Sequence, residues 1–87
     1  MIFLSSAAIL GDQLLLLLRH TEDGEWLKSS RIEVYDITYD ALAAIIVLTS
    51  RRQVDLTKLR DADAIELLAC PKRDCVFVLA QQRCHGR

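Results

Sequence analysis

Residues 39–49 read Tyr39-Asp40-Ala41-Leu42-Ala43-Ala44-Ile45-Ile46-Val47-Leu48-Thr49, a stretch with neither Gly nor Pro. Whether it coils or extends decides the fold class. Asp36 or Thr38 ahead of it can cap a helix, because a side-chain oxygen there accepts a hydrogen bond from an orphan backbone N–H. The spacing therefore predicts a central helix over 39–49, apolar nearly all round and so buried on more than one side. A buried strand remains the competing reading, since Ile45, Ile46 and Val47 are β-branched and every residue from Ala41 to Leu48 is apolar.

Upstream the pattern is extended. Ile2–Leu10 and Gln13–His20 are apolar runs divided by Gly11-Asp12, a pair suited to a two-residue hairpin turn. After the polar break Thr21-Glu22-Asp23-Gly24-Glu25, a third extended segment starts at Trp26. It ends in Arg31-Ile32-Glu33-Val34-Tyr35, where polar and apolar residues alternate with the period of a half-buried strand.

Downstream, Val54 and Leu56 alternate with polar neighbours as in a short strand. Residues 61–69 can be read as a second short helix entered by Asp61. They can also form one arm of a hairpin that pairs Ala64–Cys70 with Cys75–Ala80 across Pro71-Lys72-Arg73-Asp74. The hairpin is the preferred reading, and Val76–Leu79 is a strand under either. The expected fold is thus α+β, with an antiparallel sheet of about four to six strands around one central apolar helix. It occupies a single domain, 1–82, followed by a polar tail, 83–87.

The totals agree with one small folded domain. The chain has 87 residues, 52% hydrophobic and 26% charged, with three Gly and one Pro, which excludes a disordered or low-complexity polypeptide. A net charge of -1 supplies no global attraction to nucleic acid or anionic membranes. Residues 1–50 carry -4 and residues 51–87 carry +3, a division that would polarise the surface if the halves stay apart. No Lys or Arg precedes the first apolar run, and Gly11-Asp12-Gln13 interrupts it, so neither a signal peptide nor a membrane span is expected. Three cysteines, an odd number, then point to a reducing cytoplasm.

The pleat carries the functional expectation. Successive side chains on a strand face opposite ways, so Leu14, Leu16 and Leu18 line one side of the sheet while Leu15 and Leu17 line the other. Val76 and Val78 likewise oppose Phe77 and Leu79. Leaving four or five such side chains in water, at about 1.5–3 kcal/mol each, would rival the whole stability of a small domain. A cover is therefore expected, from a second helix at 61–69, a second copy or another protein; the last two are preferred because that helix is the weaker reading, with Leu15, Leu17, Ile45, Val76 and Val78 as the partner-binding residues.

Other chemistries fit less well. The stretch Ala7–Arg19, with Gly24-Glu25-Trp26 after it, resembles the first hairpin of the Nudix hydrolases. That resemblance implies a glutamate-rich, magnesium-binding helix, yet only Glu33 and Glu66 follow Glu25, so no site is carried over. Leu42–Val54 resembles a helix-turn-helix, in which Arg51, Arg52, Lys58 and Arg60 would meet DNA phosphates. Asp55 would then face those same phosphates, which makes a DNA-binding regulator the second choice. Cys70, Cys75, Cys84 and His85 have poor spacing for zinc. The scattered glycines build no phosphate loop, and neither His20 nor His85 sits in a context that would activate a nucleophile. The sequence is accordingly read as a non-enzymatic interaction module without cofactor, a homodimer that binds another protein.

Overall fold

A computed structural model describes residues 1–22, 25–59 and 62–82, which contain six β-strands and no α-helix. The strands are β1 (Ile2–Leu10), β2 (Gln13–Glu22), β3 (Glu25–Asp40), β4 (Ile45–Asp55), β5 (Ala62–Cys70) and β6 (Cys75–Gln82). Single 3-10 turns at Thr57–Leu59 and Pro71–Arg73 complete the described secondary structure. The α+β expectation is corrected: the chain is antiparallel β throughout these residues.

The correction falls on residues 39–49. Tyr39 and Asp40 end β3, residues 41–44 form a turn, and β4 begins at Ile45. Capping chemistry is present but serves the turn, since Asp40 Oδ1 accepts the backbone N–H groups of Leu42 at 3.1 Å and Ala43 at 3.2 Å. A short acidic side chain that bonds its own following amides offers the backbone a turn in place of a helix. The β-branched run Ile45-Ile46-Val47 then takes the strand its stiff side chains favour. Ala44 completes the reversal with φ 55°, in the left-handed region. Because that conformation costs a non-glycine residue roughly 1–2 kcal/mol, Ala44→Gly is expected to stabilise the fold by about 0.5–1 kcal/mol. Urea unfolding of the two proteins side by side measures this.

The opening hairpin forms as its sequence implies. Leu10 faces Gln13 across Gly11-Asp12, and Gly11 has φ +57°, the pattern of a type II′ turn with glycine first. Strands β1-β2-β3-β4 make one meandering sheet, and β5-β6 make a second, two-stranded one. Residues 62–70 are strand and not helix, so the C-terminal hairpin is the arrangement adopted, with Cys70 opposite Cys75.

Side-chain bonds hold the two sheets together. A register shift in β1 between Leu4 and Ser6 interrupts its ladder with β2. There, Ser5 Oγ donates to Ile65 O at 3.1 Å, and the Leu67 N–H donates to Ser6 Oγ at 3.0 Å. Deeper in, Arg19 Nη2 donates to Ala62 O at 2.6 Å. Around these bonds lies a small core: Leu17, Ile32 and Val34 from the large sheet meet Ala62, Ile65 and Leu67 from the hairpin. Ala8, Leu15, Leu56, Leu59, Val76 and Val78 pack against it.

Candidate interaction surface

Register assigns every described side chain of the large sheet to one of two faces. The inner face, toward the hairpin, carries Leu15, Leu17, Ile32 and Val34. On the outer face the β2 leucines Leu14, Leu16 and Leu18 oppose Tyr35, Glu33 and Arg31 of β3, and oppose Ile9, Ala7 and Leu4 of β1. No described element lies over that face, and Ile2, Leu4 and Ile9 are exposed along it.

Strand β3 outruns β2. Pairing with β2 stops at Asp36, whereas pairing with β4 continues to Asp40 opposite Ile45. The end of the β3–β4 hairpin is therefore a two-stranded arm projecting past the sheet. On it Ile37 opposes Leu48 and Tyr39 opposes Ile46, side by side on the outer face. Ile46 is 67% exposed and Leu48 46% exposed. Strand β4 is also an edge, exposed along its whole length, and residues 45–49 contain no charge and no proline to discourage pairing.

Three polar side chains of the outer face converge on Glu33. Arg31 Nε donates to Glu33 Oε2 at 2.9 Å, Tyr35 OH to Glu33 Oε1 at 2.6 Å, and Gln53 Nε2 to Glu33 Oε2 at 3.3 Å. The Tyr35 bond first, then that of Arg31, holds the Glu33 carboxyl below the ordinary carboxylate range, while the same Tyr35 bond pushes the phenol above its usual value. Folding thus gains from ionised Glu33 at neutral pH, and this gain is lost as the solution is acidified through the lowered value. Tyr35→Phe removes the largest cause and is expected to raise the Glu33 titration midpoint, as followed by NMR of the side-chain carboxyl carbon. An unmoved midpoint would count against the Tyr35–Glu33 bond.

Between the two sheets a cleft of about 550 Å³ opens. Leu10, Leu15, Ile32 and Val34 form its floor, Arg52, Val54 and Leu56 one wall, and Asp74, Cys75, Val76 and Val78 the other. The five residues expected to meet a partner divide accordingly. Leu17 is fully buried, Leu15, Val76 and Val78 line the cleft or pack on the core, and Ile45 is exposed at the tip of the arm, beside its turn. The alternation in β2 does reveal two leucine faces, but only the docking of β5–β6 shows which one the chain covers itself. Nothing in the sequence singles out Leu14, Leu16, Leu18, Tyr39, Ile46 and Leu48 as the uncovered side.

The basic residues proposed for DNA do not share a helix. Arg51 lies in β4 at 3.6 Å from Asp36, Arg52 turns into the cleft, and Lys58 sits in the 3-10 turn. Arg60 lies outside the described residues. With β4 and a turn where a recognition helix was expected, the helix-turn-helix reading is withdrawn. The basic and acidic halves also interleave, since β4 is laced to β3. Cys84 and His85 fall outside the described residues too, and among those described no three metal-ligating side chains come together. No described helix is long and apolar enough to cross a membrane. No family model, curated protein or solved structure matches the chain.

Proposed function

We propose that this protein is a non-enzymatic interaction module that acts as a homodimer, two copies packing through the outer faces of their large sheets. The observation that carries the reading is the apolar outer face, which the chain's own hairpin leaves open while packing against the opposite side. Two measures of size support a second copy as its cover. A compact monomer of 9.9 kDa exposes about 5,200 Å², whereas this chain exposes 6513 Å². Its radius of gyration is 15.3 Å against about 12 Å for a compact 87-residue domain. The excess area exceeds the roughly 800 Å² that each partner contributes to a standard stable interface.

A second copy also suits the chemistry. An apolar face is complementary to itself, as a two-fold interface requires. Arg31, Tyr35 and Gln53 all bond to Glu33, which lowers the cost of covering this polar cluster. The dimer's further ligand is another protein: the open edge of β4 offers unpaired backbone groups to an extended segment, a common mode of peptide recognition. A reducing cytoplasm is the setting this reading assigns, on the odd cysteine number.

Molar mass in solution tests the proposal. Light scattering is expected to give twice 9.9 kDa for the natural chain. A variant carrying Ile9→Glu, Ile46→Glu and Leu48→Glu, all at exposed outer-face positions, should give a folded species of single mass. A natural chain of single mass at high micromolar concentration overturns the reading, as does a variant that still dimerises.

A further inference from the structure

The β5–β6 turn places two thiols together. Cys70 and Cys75 are directly opposite in the antiparallel register, and both are half-buried. Opposed residues of an antiparallel pair project from the same face, with Cα atoms about 4.5 or 5.5 Å apart depending on the pair type. Both separations fall inside the roughly 4.4–6.8 Å range that a disulfide spans. The intervening turn is set independently of any sulfur bond: Pro71 restricts its start, Asp74 takes the left-handed conformation at φ 52°, and the Asp74 N–H donates to Pro71 O at 3.1 Å.

We propose that Cys70 and Cys75 are a dithiol modification site, oxidised reversibly to an intramolecular disulfide by a low-molecular-weight disulfide of the glutathione class. The Cys70 thiolate attacks one sulfur of the oxidant, forming a mixed disulfide and expelling one glutathione thiolate. The Cys75 thiol gives its proton to solvent, and its sulfur displaces the second glutathione as the Cys70–Cys75 bond forms. Two electrons pass from the protein thiols to the oxidant, which leaves as two glutathione thiols. Burial, and after it the nearby Cys70 sulfur, holds the Cys75 thiol above its usual range, which leaves less Cys75 thiolate at neutral pH and disfavours this sulfur as the first attacker. Cys75 and Asp74 also form part of one wall of the cleft, so the bond would fasten that wall. This site lies on the small sheet and does not depend on how the outer face is covered.

The test uses the full chain with Cys84→Ser, which leaves only the proposed pair. It is equilibrated with oxidised and reduced glutathione at about 0.1 mM total and read by intact mass. The expected product has lost two hydrogen atoms and outnumbers the glutathione adduct by roughly tenfold, because linked thiols have an effective concentration of millimolar or more. Preorganisation by the hairpin predicts a second result. The equilibrium constant for closure should be at least about tenfold larger in the folded protein than in urea, where Cys70 and Cys75 are joined only by a flexible turn. Peptide mapping of the natural chain should find Cys70 joined to Cys75. Predominant glutathione adducts, equal closure in the folded and unfolded chain, or a natural-chain disulfide through Cys84 would each overturn the proposal.

Discussion

Leu17→Ala is expected to remove about 2–5 kcal/mol of stability, while Leu16→Ala, one position away, is expected to remove less than about half as much from the isolated chain. Leu17 is 0% exposed among Ile32, Val34, Ile65 and Leu67, and truncating it leaves a cavity that the two sheets cannot close without moving. Leu16 points the other way, beside Ala7 and Glu33, where its contacts are partial. A loss at Leu17 of that size is a large share of the ~5–15 kcal/mol available to a small domain. Urea denaturation at low protein concentration separates the two variants. Equal losses would mean that both faces of the large sheet are covered alike, and a larger loss at Leu16 that the faces have been assigned the wrong way round. If two copies pair through their outer faces as proposed, Leu16→Ala should also weaken that pairing, and its unfolding midpoint should depend on concentration differently from that of the natural chain.

The second large effect is expected at Arg19. This side chain is 3% exposed and reaches from β2 to the first residue of β5, where Nη2 donates to Ala62 O. Arg19→Met keeps most of the volume and removes the donor. Leaving the buried Ala62 carbonyl without that bond is expected to cost about 1–3 kcal/mol. Arg19→Ala also removes the packed stem, so its loss should be larger, about 3 kcal/mol or more. Hydrogen exchange locates the effect: amides of β5 and β6 should open more readily in Arg19→Met than those of β2 and β3, because the bond joins the hairpin to the large sheet. Uniform acceleration across all six strands would show that the hairpin and the large sheet unfold as one unit.

Much of the architecture is legible in particular residues. Gly11-Asp12 between two apolar runs announces the first hairpin, and the alternation from Arg31 to Tyr35 announces β3. Pro71 to Asp74 between apolar arms marks the last hairpin correctly over the competing helix at 61–69. Residues 39–49 mislead because capping residues and a continuous apolar run are common to a buried helix and to a hairpin with an apolar tip. Two local features favour the hairpin: the β-branched run Ile45-Ile46-Val47, and Asp40, whose carboxylate bonds the two amides after Ala41 and closes a turn.

Strand alternation is a local property, and the order of residues in β2 is enough to separate Leu15 and Leu17 from Leu14, Leu16 and Leu18. Which set the chain keeps for its own core is a long-range outcome. It depends on β5 settling against β1 and β2 through Ser5, Ser6 and Arg19, across 43 to 61 positions of sequence. No pattern within a strand encodes the partner that will lie on it. The distinction between core leucines and surface leucines therefore arises only when the two sheets meet.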